Sequence, residues 1–455
     1  MGIVTTTYGD VRGCVKDGCE EYLGIPFAKP PVGELAFRRP VRPEPWEGTR
    51  DATKGSCNPI QAQHPFSEDN NSEDCLYLNV FVPEMREGPL PVMFWIFGGS
   101  YATGGVGYSH ERNGLVYELG LFARETNTVV VAVNYRLNLY GFLGMRCLSD
   151  RFDTNVGLYD LALALEFVHD NVAAFGGDPN NVTVFGESAG GALTLALMSS
   201  QKTSGYFHKA IVQSACVDSF WSMDQARHMA KRYMRCAGLD TRHPNKVLEL
   251  THDQARAAAT ELAQKLVASG EMRCVFSPII DGDFLTDYPK LLAASAPQQL
   301  LIGCVTYDGD LFVDRISDAL LRVASIAAHV KVPRGSESYR LRLGEGVTNA
   351  VFREPLLQIA DAHAHLSDTW RFEYNFASEN MRERGLRPRH TCDIFPLFSG
   401  ADKNGWYDPA DPEMVRVGQS MRSLWADMAW SRMSAPRYEP GAEAILIDEQ
   451  GVHLS

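Results

Sequence analysis

The chain has 455 residues, 45% of them hydrophobic, and a formal net charge of −13 at pH 7. It can bury a large core, and its charge disfavours nucleic acid and anionic membrane surfaces as partners, because both would repel it. No stretch is apolar for the ~18 residues of a membrane span, and no basic region followed by an apolar run opens the chain. We therefore expect a soluble, cytoplasmic monomer or weak dimer without membrane insertion, with a secreted mature form as the open alternative.

The first half of the chain alternates strands with helices. Its opening segment predicts a strand of a hairpin that turns at Asp17-Gly18. Continuous β-branched runs, typical of strands buried on both faces, occur at 91–97, 127–135, 181–185 and 208–215. Residues 158–176 have the pattern of a helix that ends at a glycine. The order predicts an α/β fold with a mostly parallel, doubly wound central sheet and helices on both faces.

The pattern changes from about residue 221 to 300, where the sequence is amphipathic and contains no buried strand. Such an insertion is expected to lie over the carboxyl edge of the sheet as a helical cap. Strand patterns return at 298–310 and 369–378, with a further helical segment around 313–368 between them. We expect a single domain over residues 1–455.

Ser188 lies in a Gly-x-Ser-x-Gly pattern that runs from Gly186 to Gly190, directly after a strand and before a helix of small residues. In such a nucleophile elbow the chain turns sharply, and glycines are needed because a Cβ would collide with the crossing backbone. The turn lifts the serine hydroxyl above the sheet edge. The flanking strand and helix disfavour a chance match, so the pattern predicts a serine hydrolase.

A serine nucleophile needs a base, and the base needs a carboxylate, in the chain order nucleophile, acid, histidine. Among the twelve histidines, His390 is the candidate because it lies in a loop that follows a predicted strand. His169 and His208 are expected to be structural. His363 and His365 are two residues apart in a predicted helix and point to different faces, so no metal site is expected there.

Eight segments, in order along the chain, carry a resemblance to a known family: YLGIPFAKPPVG (22–33), EDCLYLNVFVP (73–83), WIFGGSY (95–101), NYRLNLYGFL (134–143), FGGDPNNVTVFGESAGG (175–191), PIIDGDFL (278–285), IGCVTYDGDLF (302–312) and HTCDIFPLF (390–398). Over nearly its full length the chain resembles the type-B carboxylesterase and cholinesterase family of α/β-hydrolases. The resemblance implies an α/β-hydrolase fold with a catalytic triad.

By this resemblance, Ser188 is the nucleophile and His390 the general base and acid. The family's acid lies in a segment usually written Asp-Glu-Gly, with a phenylalanine three residues beyond the glycine. Here the segment is Tyr-Asp-Gly, and Phe312 keeps the spacing, so the resemblance implies that Asp308 is the acid in place of the usual glutamate. Asp310 is the alternative acid, although its register differs by two residues.

The resemblance also implies an oxyanion hole formed by the backbone amides of Gly99, Ser100 and Ala189. The family's glycine loop usually reads Gly-Gly-Gly, and its third position is Ser100 in this chain. Two interpretations stay open. The side chain either narrows the space beside the nucleophile and disfavours esters of bulky tertiary alcohols, or points away and changes nothing.

Further positions match residues around the triad in the family. Glu187 and Ser214 match residues that orient the histidine and ordered water, and Arg136 and Asp160 match a buried structural ion pair. Aromatic residues expected to line the pocket or its entrance are Tyr101, Tyr108, Trp221 and Phe312.

Glu73 lacks the partner that the family supplies, because position 36 is alanine, and Arg38 is the expected substitute.

Cys57 and Cys75 match a disulfide that closes a loop in secreted relatives, and in a reducing compartment the pair is expected to be two thiols. The loop between them contains no tryptophan of the kind that cholinesterases use for cation recognition. The ten cysteines include no Cys-x-x-Cys pair, so zinc and thioredoxin-like chemistry are not indicated.

The function expected from these residues is hydrolysis of small to medium uncharged carboxylic esters through an acyl-enzyme, with no metal and no cofactor. A small-molecule ester is the expected partner. The same machinery could cleave amides, carbamates or lactones. A non-catalytic, cholinesterase-like binding protein is the remaining alternative, and the presence of all three triad positions disfavours it.

Overall fold

The computed structural model describes residues 2–61, 70–106, 117–269, 271, 274–314, 316–317, 321–327, 330–400 and 405–454, so Tyr108 lies outside the described residues. The strands are β1 (Ile3–Thr6), β2 (Gly9–Arg12), β3 (Cys14–Lys16), β4 (Cys19–Pro26), β5 (Thr49–Asp51), β6 (Asn58–Pro59), β7 (Asn71–Ser72), β8 (Tyr77–Pro83), β9 (Leu90–Ile96), β10 (Val129–Val133), β11 (Gly177–Glu187), β12 (Lys209–Gln213), β13 (Trp221–Ser222), β14 (Ile279–Ile280), β15 (Gln299–Val305), β16 (Thr369–Tyr374), β17 (Ile445–Asp448) and β18 (Gly451–Leu454).

The helices are α1 (Leu119–Thr126), α2 (Asn138–Phe142), α3 (Val156–Asn171), α4 (Ala189–Met198), α5 (Met223–Cys236), α6 (His252–Ala268), α7 (Pro289–Leu292), α8 (Asp310–Val313), α9 (Leu321–Ala327), α10 (Tyr339–Val347), α11 (Glu354–His363), α12 (Glu379–Glu383), α13 (Ile394–Phe398) and α14 (Pro412–Ala429). A π-helical turn, Thr348–Arg353, joins α10 to α11. Within the described ranges, none of the helices combines the length and apolar character that a membrane crossing requires.

In the part of the chain that the structure describes, eleven strands form one sheet in the order β18-β17-β16-β15-β12-β11-β9-β10-β8-β4-β3. The strands from β17 to β10 are parallel to their neighbours, and antiparallel pairs extend the sheet at both edges. Every residue of β9 and β10 is buried, which explains their continuous apolar sequence. The predicted mostly parallel sheet is therefore confirmed.

The N-terminal hairpin differs from the prediction in one respect. The turn at Asp17-Gly18 is confirmed, because β3 and β4 pair Lys16 with Cys19 across it and both turn residues have positive φ. The opening segment, however, forms a separate hairpin, β1 with β2, which pairs with β5 in a small sheet of its own.

The segment from 221 to 300 contains the two long helices α5 and α6, and also the short parallel pair β13 and β14. Trp221 and Ile279 of this pair are buried, so the prediction of no buried strand here was wrong. The pair depends on a distant partner: the Asn155 side chain donates to the Ile279 carbonyl and accepts from its amide, at 2.7 and 2.8 Å. No local pattern could have indicated that contact.

Arg136 and Asp160 form a buried ion pair that joins the loop after β10 to α3, as the resemblance implied. The Arg136 guanidinium donates through Nη2 to Oδ1 at 2.6 Å and through Nε to Oδ2 at 2.8 Å, and its backbone amide also donates to Oδ2. The two side chains are 4% and 0% exposed. Because water reaches neither charge, each one depends on the other for compensation.

Asp160→Asn should lower the free energy of unfolding by about 3–5 kcal/mol, because it leaves the Arg136 charge buried without its counterion. Denaturant unfolding followed by circular dichroism measures the change. Asp240→Asn, which breaks an exposed pair with Arg242, is the control and should leave the unfolding midpoint unchanged. Equal midpoints for the two variants would contradict the structural role of the buried pair.

Candidate active site

The chain turns from β11 into α4 at Ser188, whose φ of 56° and ψ of −121° are unusual for a residue with a side chain. The Ser188 amide donates to the Gln213 carbonyl at 2.9 Å, which ties the turn to the end of β12. A Cβ at Gly186 would lie 2.5 Å from the carbonyl carbon of Gly190, so only glycine fits there. The hydroxyl therefore stands at the carboxyl edge of the sheet, as in a nucleophile elbow.

Ser188, His390 and Asp308 form one continuous line of hydrogen bonds. His390 Nε2 lies 2.8 Å from Ser188 Oγ, and His390 Nδ1 lies 2.7 Å from Asp308 Oδ1. The second carboxylate oxygen, Oδ2, accepts from the Ser214 hydroxyl at 2.9 Å and from the Val305 amide at 3.0 Å. Asp308 is fully buried and His390 is 3% exposed. The carboxylate is therefore held in place from one side and can orient the imidazole from the other.

Asp310, the alternative acid, has a different partner. Its carboxylate is 3% exposed and accepts from Arg387 Nε at 3.0 Å and from Arg387 Nη2 at 2.8 Å. Burial raises the pKa of Asp310, and the Arg387 guanidinium opposes that rise. The geometry therefore places Asp308, and not Asp310, against the histidine.

Two phenylalanine rings pack against His390 and against each other, with their own centroids 5.7 Å apart. The ring centroids of Phe312 and Phe352 each lie 5.1 Å from that of the imidazole. Phe312 is among the aromatics that the sequence indicated, whereas Phe352 lies in the π-helical turn and belongs to none of the eight matched segments. The rings limit the positions that the imidazole can take.

Tyr101 and Trp221, the other aromatics expected in the pocket, are 1% and 3% exposed. The Tyr101 hydroxyl lies 3.1 Å from Ser219 Oγ, and its ring packs against that of Phe142 with centroids 5.2 Å apart. Their contribution to a substrate pocket stays a prediction.

The loop after β9 lies beside the elbow. Gly99 has a φ of 111°, Ser100 a φ of 56°, and the Gly99 carbonyl accepts from the Ala102 and Thr103 amides at 3.0 and 3.1 Å, which closes a tight turn. Among the residues that the structure describes, the amides of Gly99, Ser100 and Ala189 have no acceptor. Unpaired amides are the donors that an oxyanion hole uses, so these three are available for that role, which stays a prediction.

Burial raises the pKa of the Cys274 thiol to about 11, and the nearby Ser100 side chain opposes that rise. The thiol is therefore neutral at ordinary pH.

Two further buried carboxyl groups, those of Glu187 and Asp393, act on the imidazole, and the Gln213 amide holds the second of them. Glu187 Oε1 lies 3.4 Å from His390 Nε2, and Asp393 accepts from Gln213 Nε2 at 2.9 Å. Burial raises the pKa of Glu187 to about 8 and that of Asp393 to about 6. The sequence indicated Glu187 but neither Gln213 nor Asp393, although Asp393 lies only three residues after His390.

The charge on His390 is set by these neighbours. Burial by itself lowers the pKa of the imidazole, but the carboxylates of Glu187, Asp308 and Asp393 favour the protonated form and raise it. These carboxylates therefore stabilise the imidazolium that forms when the ring accepts a proton.

The expected pair between Glu73 and Arg38 does not form. Glu73 Oε1 lies 2.9 Å from His252 Nε2 at the start of α6. Arg38 Nε lies 3.3 Å from Asp153, and the guanidinium also donates to the Asp150 and Arg151 carbonyls. The prediction of Arg38 was wrong because a histidine distant in sequence reaches Glu73 from the segment after β13.

All ten cysteines lie in the described ranges, and all are free thiols. Cys57 Sγ lies 3.1 Å from Asn70 Oδ1, and Cys75 is buried.

Two of the remaining histidines bond to strands of the central sheet. His208 accepts from the Val182 amide of β11 at 3.3 Å, and His363 lies 2.7 Å from Thr369 Oγ1 of β16.

Glu187→Gln should lower the pKa of His390, because the carboxylate raises that pKa and the amide carries no charge. As pH rises, the imidazole would then lose its proton earlier than in the parent protein. Titration of the ring nitrogens by NMR in protein labelled at histidine measures the shift, with His390→Gln to assign the signal. Glu249→Gln, at an exposed ion pair with Lys246, is the control. An unchanged titration of His390 in Glu187→Gln would contradict the electrostatic role.

A model of the carboxylesterase family matches residues 1–331. The para-nitrobenzyl esterase of Bacillus subtilis (strain 168) is 34% identical over 479 residues, covering 98% of this chain and 95% of that protein. Gut esterase 1 of Caenorhabditis elegans is 36% identical over 314 residues, covering 68% of this chain and 54% of that protein.

Solved structures agree over the whole chain. A thermophilic PNB esterase superposes with a TM-score of 0.85 at 30% identity, covering 100% of this chain and 97% of that one. A carboxylesterase of Geobacillus stearothermophilus superposes with a TM-score of 0.82 at 28% identity and the same coverage. These neighbours confirm the α/β-hydrolase fold. With a family model over most of its length and a 34% identical relative that aligns almost end to end, the chain belongs to the carboxylesterase family.

Proposed function

We propose that Ser188, His390 and Asp308 carry out the ester hydrolysis of this carboxylesterase through an acyl-enzyme intermediate. The observation that supports this assignment is the unbroken line of hydrogen bonds, 2.8 Å and 2.7 Å long, that joins the three side chains at the elbow.

Acylation begins with attack of Ser188 Oγ on the ester carbonyl. His390 Nε2 takes the hydroxyl proton, and Asp308 holds the imidazole in the tautomer that leaves Nε2 free to accept it. The carbonyl oxygen becomes an oxyanion, which the amides of Gly99, Ser100 and Ala189 stabilise. One such donor contributes on the order of 10²–10³ in rate, because it is already oriented before the charge develops.

The tetrahedral intermediate then collapses. His390 gives its proton to the alkoxide, the bond to the alcohol breaks, and the acyl group stays on Ser188 Oγ. A water molecule attacks the acyl carbonyl while His390 takes its proton, and return of that proton to Ser188 releases the acid. The two steps consume one ester and one water and produce one alcohol and one acid.

The substrates that we propose are small to medium esters without negative charge. Two phenylalanine rings lie beside the imidazole, which is itself buried. A negatively charged ester would lose its hydration in such an apolar, buried site, which is unfavourable.

One domain with a helical cap is also proposed, because side chains of the cap helices, such as Met229 and Leu262, belong to the same hydrophobic core as the sheet. The cytoplasmic location and the monomeric or weakly dimeric state stay predictions.

Ser188→Ala should abolish hydrolysis of p-nitrophenyl esters and labelling by an organophosphonate, and Asp308→Asn should lower kcat about 10⁴-fold, because the imidazole loses its orienting carboxylate. The rates of the parent enzyme on p-nitrophenyl esters of different acyl chain lengths, and on the matched anilides, define the substrate class. Asp427→Asn, at a surface pair with Arg432, is the control. Full activity in Asp308→Asn would refute the assignment of the acid.

Ser100→Gly should raise the rate on tert-butyl acetate relative to n-butyl acetate roughly 10-fold, because a Cβ is removed beside the nucleophile. Glycine also adopts the positive φ at this position without strain. The ratio of kcat/KM values is the measurement. Cys274→Ala changes a neighbour of the Ser100 side chain but keeps the Ser100 Cβ, so it should leave the ratio unchanged. If Ser100→Gly also leaves it unchanged, the side chain points away from the substrate.

A further inference from the structure

Two loops meet at the triad, and more than the triad hydrogen bond joins them. We call residues 308–314 the acid loop and residues 387–390 the histidine loop. Arg387 donates to both carboxylate oxygens of Asp310, at 3.0 and 2.8 Å. Arg389 donates through Nη1 to Asp314 Oδ2 at 2.6 Å. Each arginine of the histidine loop therefore pairs with an aspartate of the acid loop.

The Arg387 side chain is held on several sides. Its guanidinium carbon lies 3.8 Å from the centre of the Tyr307 ring, and Nη2 also donates to the Leu341 carbonyl of α10 at 2.9 Å. Its side chain is 16% exposed and that of Asp310 is 3% exposed. A bidentate pair stacked on an aromatic ring has a fixed geometry, which a point charge such as lysine does not provide.

We propose that Arg387 and Asp310 are positioning residues that set the distance and orientation of His390 relative to Asp308. Asp310 follows the triad acid by two residues, and Arg387 precedes the triad histidine by three. The hydrogen bond between His390 and Asp308 and the ion pair between Arg387 and Asp310 therefore join the same two loops. Together they prevent a rotation of one loop against the other that a single contact would allow. The inference rests on the proposed roles of Ser188, His390 and Asp308.

The burial of the pair explains why it holds. Separating the loops would leave the Asp310 carboxylate in a site from which water is largely excluded, and an uncompensated buried charge is strongly unfavourable. The pair of Arg389 with the more exposed Asp314 adds a second contact at the outer side. A shift of about 1 Å at a reacting group can reduce a rate on the order of 10²-fold, so small movements of these loops matter to catalysis.

Arg387→Met tests the positioning role but leaves the buried Asp310 carboxylate without its counterion. The double variant Arg387→Met with Asp310→Leu tests the same role without that uncompensated charge. Replacing a buried ion pair with apolar side chains of similar volume often preserves stability, so the double variant keeps the packing and removes the directional contact. In both variants kcat, normalised to the sites titrated by an organophosphonate, should fall roughly 10- to 100-fold, with KM within about 3-fold of the parent value.

The hydrogen bond between His390 Nδ1 and Asp308 gives a second readout. The low-field proton resonance of His390 Nδ1–H should move or broaden in both variants, because it reports the contact with Asp308. Arg387→Lys, which keeps the charge without the bidentate geometry, should restore only part of kcat. Arg86→Met, which breaks a more exposed pair with Glu20 of β4, is the control and should leave both readouts unchanged.

An unchanged kcat per titrated site in the double variant, with an unchanged Nδ1–H resonance, would overturn the inference and leave the pair a purely structural one. This outcome differs from a failure of the proposed function. In that case the parent enzyme would not react with the organophosphonate, or Ser188→Ala would keep its activity, whatever the state of Arg387.

Discussion

The parallel register of four neighbouring strands is the constraint on which the site depends. β11 pairs Glu187 with Gln213 of β12, β12 pairs Gln213 with Gly303 of β15, and β15 pairs Val305 with Tyr374 of β16. The strands therefore end at one edge of the sheet, where Ser188, Ser214, Asp308 and His390 follow them in the chain. A shift of one residue in any pair would turn a strand's side chains to the opposite face and separate the groups. The backbone ladder thus fixes distances that side chains by themselves could not.

The second requirement is electrostatic. A histidine that accepts a proton in a buried site needs compensating negative charge, and this site supplies it from Asp308 by direct contact and from Glu187 and Asp393 at longer range. The burial that this arrangement requires disfavours the charged carboxylates, and it raises the pKa of Glu187 and of Asp393. One hydrogen-bonded carboxylate orients the base, while the others adjust how strongly it holds a proton. Asp308 therefore affects both the orientation and the basicity of the imidazole, whereas Glu187 and Asp393 act on its basicity alone.

The sequence predicted what depends on local pattern and missed what depends on distant contacts. The buried strands and the elbow follow from short apolar runs and from glycine, and the resemblance indicated Asp308 and His390, which the structure brings together with Ser188. Phe352, Gln213 and Asp393 were missed because their roles appear only when separate segments meet at His390. For the same reason a histidine, not an arginine, reaches Glu73. The ends of helices also differ from the prediction: the helix expected to begin at residue 158 begins at Val156.

Part of the backbone strain lies where the chemistry takes place. Non-glycine residues with positive φ include Ser100, Tyr101, Ser188, Ser214 and Thr391, each of which follows a strand end or His390 at this edge of the sheet. Such conformations are unfavourable by on the order of 1–3 kcal/mol each, and they persist only where the surroundings determine them. The surroundings are the fully buried strands behind the site and the ion pairs beside it. Because Arg387 and Asp310 lie within three residues of the triad, the pair can hold the histidine loop in place next to the strained Thr391. Rigid strands from one side and a buried charge pair from the other thus keep the imidazole between its two partners.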